Sequence, residues 1–237
     1  MWTERTQMLL GAETMQRLRQ GCAVITGVGG VGAYAAEMLV RAGIGHLVII
    51  DSDSVSETNL NRQLLALRST LGRPKCTVLR ERLLDINPEL EIRIIEEYIC
   101  EDNVAALLDP LPADVVIDAI DTLSPKIALI QYCLKRGLRL VSSMGAGAKL
   151  DATAVRIDDI SKTRECPLAH ALRKRLHRLG IHSGFTAVYS TEKPHKESVV
   201  LEESRNKRSQ VGTISYLPAV FGCACAQAAL QPWLEIH

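Results

Sequence analysis

"CAVITGVGGVGAYAAEMLVRAGIGHLVIID", residues 22–51, is the stretch whose reading decides the fold. Residues 22–26 are a short apolar run ending in glycine, the pattern of a buried parallel strand. Residues 30–42 carry helical periodicity through Val31, Ala35, Met38 and Leu39, and Gly43 stops it. A second apolar run, 46–50, closes at Asp51. Between the first strand and the helix stand Gly27, Gly29, Gly30 and Gly32 in the order G-x-G-G-x-G, which satisfies G-x-G-x-x-G. Gly27 permits a tight turn, Gly29 lets the backbone approach a phosphate, and Gly32 allows the helix to pack closely on the strand. A phosphate in that loop meets the positive end of the helix. Asp51, 19 residues after Gly32, is placed to accept from ribose hydroxyls.

The same rhythm continues outward. Helical patterns at 75–86 and 124–136 alternate with apolar runs at 92–95, 115–120 and 138–142. Strand, helix, strand with right-handed crossovers implies an α/β chain with a doubly wound, Rossmann-like, mostly parallel sheet. After Gly147 the rhythm changes. Short strands at 155–157 and 187–189 flank a basic helix at about 166–179, and the polar segment 190–210 reads as a mobile loop. The expected organisation is a nucleotide-binding core over 1–150 and a smaller C-terminal, substrate-facing extension over 151–237.

With a net charge of +1 over 237 residues, the whole-chain field favours no partner. Locally the balance differs: residues 156–210 hold 12 Lys and Arg against 7 Asp and Glu. Such a bias marks an anion-facing surface or a solvated one. The seven cysteines, at 22, 76, 100, 133, 166, 223 and 225, form no C-x-x-C. That argues against a disulfide framework or a structural zinc site, and for a reducing, cytoplasmic setting. No secretory leader pattern opens the sequence. The apolar segment 213–236 is interrupted by Pro218, Gly222, Gln227 and Pro232, which favours a buried helix over a membrane span.

"DSDSVSETNLNRQ", 51–63, separates two nucleotide classes. A dinucleotide carries two phosphates, which backbone amides and a helix end largely satisfy. A triphosphate under attack needs more donors to gather its charge. Arg62 offers a planar fork for phosphate, Asn59 and Gln63 add neutral donors, and Lys75 adds a point charge. In "VVIDAIDTLSPK", Asp118 and Asp121 stand where the fourth strand ends. A carboxylate facing a triphosphate implies an intervening cation, and Mg2+ on Asp121 is the expectation; Asp118 is the candidate to hold the following turn. The group favours ATP over a nicotinamide cofactor.

"GVGGVG", "IIDSDSV", "TNLNRQ", "GRPK" and "DAIDTLSPK" together resemble the adenylation core of ubiquitin-activating enzymes and their bacterial relatives, which activate sulfur-carrier proteins. The resemblance implies ATP on the glycine loop, Asp51, Asp53, Asn59, Arg62, Gln63, Lys75 and Asp121. It also implies that Arg5, in "ERTQMLLG", reaches the partner's nucleotide across a homodimer. "SSMGAGAKLD", "DDISKTRECPLAHALRKRLHRLGI", "AVYSTEKP" and "GTISYLPAVFG" are similar to one subgroup, the tRNA threonylcarbamoyladenosine dehydratases. Those enzymes use ATP to cyclise a modified tRNA adenosine.

Lys174, Arg175 and Arg178 are then the candidate tRNA contacts, on a helix whose buried stripe is Leu168, Leu172, Leu176 and Leu179. Cys166 lies near Lys162 and Arg164, which would favour a thiolate, yet cyclisation through an acyl adenylate requires no enzyme thiol. Cys223 and Cys225 are expected to pack in the core. The rival expectation is an activator of a ubiquitin-like or sulfur-carrier protein; whether a sulfur-transfer partner takes part stays open.

Overall fold

The computed structural model describes residues 2–201 and 209–234. Its helices are α1 Glu4–Gln20, α2 Gly32–Ala42, α3 Lys75–Ile86, α4 Val104–Leu108, α5 Leu123–Lys135, α6 Pro167–His177 and α7 Tyr216–Leu234. The strands are β1 Cys22–Thr26, β2 His46–Ile50, β3 Glu91–Ile95, β4 Val115–Asp118, β5 Arg139–Ser143, β6 Val155–Asp159, β7 Thr186–Ser190, β8 Val199–Leu201 and β9 Ser209–Val211. Strands β1 to β7 form one sheet in the order β3-β2-β1-β4-β5-β7-β6. Every pairing is parallel except that of β6, which runs antiparallel to β7 at the edge.

The doubly wound reading is borne out. Every residue of β1 and β4 is buried, as strands covered on both faces require. On one face α2, α3 and α7 close a core that includes Leu39, Leu79 and Phe221. On the other, α5 and α6 close a core that includes Ile130, Leu172, Leu176 and Tyr189. Chain order reverses direction between β1 and β4, the point where doubly wound sheets bind ligands beyond the strand ends. Register makes that point sharp: Thr26 pairs with both Ile50 and Asp118. Three chain segments therefore leave the sheet side by side: the glycine loop, Asp51, and the turn 119–122.

The boundary expected near residue 150 falls within this sheet, because β7 and β6 continue it from β5 and α7 packs on α2. Segment 190–210 is corrected in part. It contains a turn at Lys196–Ser198 and the antiparallel pair β8–β9, while residues 202–208 of the expected mobile loop lie outside the described residues. The basic helix is shorter than expected, ending at His177, so Arg178 caps it and Leu179 stands half-exposed outside the stripe. α1, which the sequence reading did not identify as a helix, is broken at Gly11 (φ +80°).

Buried Glu37 ties α2 to α3. Its carboxylate accepts from Arg82 Nε at 2.6 Å and from Arg41 Nε at 2.9 Å. Burial alone would raise its pKa, but the two guanidinium groups outweigh that and hold it below the ordinary carboxylate value. Among the described residues no helix is long and apolar enough to cross a membrane. α7 instead buries Leu217, Phe221, Cys225 and Trp233. Cys225 packs in the core as expected, whereas Cys223 is exposed.

Candidate active site

The glycine loop is built by close approach. Gly27 adopts φ +82°, and a Cβ added to it would lie 2.9 Å from the Ala119 carbonyl oxygen. A Cβ on Gly32 would lie 1.8 Å from the Gly27 carbonyl oxygen, so only glycine lets α2 start this close to β1. Asp51 holds the loop from below. Its Oδ2 accepts from the Val28 amide at 2.7 Å and its Oδ1 from the Asp53 amide at 2.8 Å. Burial raises the Asp51 pKa, opposed by nearby Lys75 and by these two amides. Each carboxylate oxygen retains a lone pair for a ribose hydroxyl.

Lys75 is not the surface residue that its position at a helix start suggests. It is buried, and its Nζ donates to Asp53 Oδ2 at 2.7 Å. Gln63 is buried beside the loop, where a Cβ on Gly29 would lie 3.5 Å from its Nε2. Its Oε1 has no hydrogen-bond partner, a cost that a bound donor would remove. Asn59 uses its Oδ1 to accept from the Ser56 amide at 3.1 Å, which leaves its Nδ2 side as a donor. Arg62 packs its stem near Gly30 and donates through Nη1 to the Thr58 carbonyl at 2.8 Å and to Asn61 Oδ1 at 2.9 Å. A guanidinium has five N–H donors, so the rest of the fork is available to a phosphate.

The two aspartates at the end of β4 part company. Asp118 is fully buried, with Oδ2 accepting from Lys126 Nζ at 2.6 Å and from Ser142 Oγ at 2.6 Å. Its Oδ1 accepts from the Ile120 amide at 3.1 Å, so Asp118 holds the turn that follows it. Asp121 is exposed at the end of that turn, just before α5. Among the described residues no three His, Cys, Asp or Glu side chains converge as a metal cage. One carboxylate from the protein suffices for an ion that takes its other ligands from phosphate and water, as magnesium does.

Two sets of expected residues lie apart from this cluster in sequence and fold. Arg5 is exposed on the first half of α1. Lys174 and Arg175 are exposed on α6, and Arg178 is exposed at its end. Arg173, in the same run, instead turns inward and donates to the Thr163 carbonyl at 2.8 Å and to the Thr163 hydroxyl. Cys166 is buried at the N-terminal cap of α6, next to Gly145. Buried Lys149, which the sequence reading left out, donates to the Glu165 carbonyl beside it at 3.4 Å. No spacing signal distinguishes Lys126 or Lys149 from surface lysines.

This fold and site define an ATP-type nucleotide-binding protein of the doubly wound class, with cations and a buried amide around its glycine loop. The chain belongs to the ThiF family, whose model matches residues 3–236. It is 41% identical over 208 residues to the tRNA threonylcarbamoyladenosine dehydratase of Bacillus subtilis, covering 88% of this chain and 79% of that one. The Escherichia coli enzyme of the same name is 42% identical over 178 residues, covering 74% of this chain and 66% of that one. The solved structure of the E. coli enzyme in complex with ATP superposes with a TM-score of 0.89 at 35% identity, covering 97% of this chain and 92% of that one.

Proposed function

We infer that the chain is an ATP-dependent tRNA threonylcarbamoyladenosine dehydratase, which closes the threonylcarbamoyl group of a tRNA adenosine into a ring with net loss of water. The observation that carries this is the shared register of Thr26, Ile50 and Asp118. It sets the glycine loop, Asp51 and the Asp121 turn around one point, with Lys75, Arg62 and Gln63 beside it. The ATP complex of a relative that matches nearly the full length supports the same reading.

The chemistry suits that arrangement. A carboxylate is a poor electrophile because its leaving group would be oxide. Its oxygen attacks the α-phosphorus of ATP, pyrophosphate departs, and the carboxyl carbon now carries AMP as leaving group. The substrate's own nitrogen then attacks that carbon, the ring closes with the advantage of proximity, and AMP leaves. Loop amides and the α2 N-terminus take up phosphate charge, and Lys75 and Arg62 stabilise charge gathering on the departing pyrophosphate. Asp51 anchors the ribose, and Asn59 and Gln63 donate to phosphate oxygens. Magnesium, when bound, neutralises phosphate charge, and Asp121 is the residue to hold it.

Arg5 serves the partner's site in a homodimer, and the exposed cations of α6 face the tRNA. A tRNA substrate and a cysteine set without pairing motifs support a cytoplasmic setting. Measuring AMP and pyrophosphate formation with modified tRNA, unmodified tRNA and candidate carrier proteins tests the whole reading. Turnover with modified tRNA alone is expected. Turnover with a carrier protein and none with tRNA would replace it by protein activation.

A further inference from the structure

Beyond the ATP cluster, the carboxyl edge of the sheet carries a second feature. An open cleft of about 540 Å³ lies where α6 begins and where the chain leaves β7, lined by Pro167, His170, Arg173, Lys193 and Pro194 with Glu165 and Cys166. Its walls are held at a cost that packing does not explain. Lys149 is 2 % exposed, and its ammonium donates to the backbone carbonyls of Ser190 at 2.9 Å, Glu192 at 2.7 Å and Glu165 at 3.4 Å. Burial lowers its pKa, and the three carbonyls take the place of water around the ammonium. The three carbonyls belong to the two segments that form the cleft, and Lys149 itself follows β5. Glu165, at the lip, adopts φ +53°, a strained conformation for a side chain of that length. Arg173 is fixed by its bonds to Thr163. A preformed cleft with an exposed imidazole, two proline rings and an exposed ammonium fits a flat heterocycle attached to a phosphate.

We propose that this cleft receives the adenine base of the reacting nucleotide, turned out of its RNA stack, with His170 against the ring and Lys193 on a flanking phosphate. The proposal rests on the tRNA reading above and locates where that substrate enters. Distance supports it. β7 stands two strands from β4, the strand that leads to Asp121, which is about 10 Å at the usual strand spacing. The threonylcarbamoyl arm, a few bonds long, spans roughly 5 Å, and the purine it hangs from fills most of the remainder. The base in the cleft thus delivers its carboxylate to the nucleotide cluster. Enzymes that act on a base commonly extrude it in this way and read it by stacking and edge contacts.

Single-turnover AMP release from a modified anticodon stem-loop, measured for His170→Ala, His170→Phe and Lys193→Ala, tests the assignment. None of these residues belongs to the ATP cluster. His170→Ala is expected to lower kcat/KM by roughly 5- to 150-fold, the usual effect of losing one stacking partner. ATP affinity should stay within twofold, and His170→Phe should recover most of the loss because it keeps an aromatic face. Lys193→Ala should reduce the salt slope of stem-loop binding by about one. Wild-type rates in His170→Ala, or a parallel fall in ATP affinity and no rescue by Phe, would overturn the cleft assignment alone. A wild-type protein inert toward modified stem-loop but active on a carrier protein would remove the tRNA reading and this proposal with it.

Discussion

An ion pair between a nearly buried ammonium and a carboxylate open to water adds little to stability, because solvent screens the exposed partner. Lys75 and Asp53 make such a pair, their side chains 6% and 67% exposed. On the proposed function, the burial of Lys75 serves to hold its charge beside the bound phosphates. Lys75→Met keeps the stem and leaves Asp53 hydrated, so thermal unfolding should shift little. Adenylation, read by AMP formation, should fall about 100- to 1,000-fold, the usual cost of removing one preorganised stabilising charge. A rate within tenfold of wild type would make Lys75 a strut. At this scale the sequence showed residue types and missed environments. Arg62, Gln63 and Asp121 could be named as candidates because phosphate chemistry asks for their groups after those strands. Lys126 and Lys149 were not, because a lysine that neutralises a buried carboxylate and one that gathers carbonyls have the same local sequence signature as a solvated lysine.

Elements were more legible where local rules suffice. Helix 75–86 and the strands around the glycine loop follow from periodicity and from glycine stops, and the structure places them within a residue or two of expectation. α6 lost its last turn because Leu176 also accepts the amide of Ile181, so the chain turns back through Gly180 rather than extending the leucine stripe. The outward cations survive that change. Replacing Lys174, Arg175 and Arg178 together by neutral residues should weaken tRNA binding and flatten its salt slope by roughly two to three, with ATP affinity unmoved. If affinity and slope both persist, α6 is not a docking surface. Between α2 and α3, the Glu37 carboxylate has a depressed pKa in the fold. Its contribution is therefore present above the unfolded value of about 4.3 and is lost as pH falls through the lower folded value. Glu37→Gln should cost about 1–3 kcal/mol at pH 7 from weakened charge-assisted bonds. Urea unfolding should show the gap closing at acid pH. A gap that stays constant from pH 7 to pH 3 would show that charge is not its source.

At the scale of the whole molecule, the first half of α1 presents apolar side chains to solvent. Beyond the break at Gly11, Met8 is 82% exposed and Leu9 79%, on a helix whose second half is anchored through Met15 and Leu18. Arg5 lies three and four residues before them, on the same face of the turn. An apolar pair beside a cation, carried on a helical segment kinked at Gly11, suits contact with a second copy, where Arg5 would reach that copy's triphosphate. The trans assignment makes a quantitative claim. Arg5→Ala and Arg62→Ala should each be inactive, the first through the neighbouring site and the second through its own. After subunit exchange between equal amounts, half of the dimers are mixed. Each mixed dimer then has one site with its own Arg62 and the neighbour's Arg5, and one site that lacks both. Activity should return to about one quarter of wild type. If both arginines act within one chain, every site in every mixed dimer lacks one of them, and no activity returns. Subunit exchange confirmed by mass, with activity still at the level of the separate variants, would therefore put Arg5 in its own subunit's site or outside catalysis.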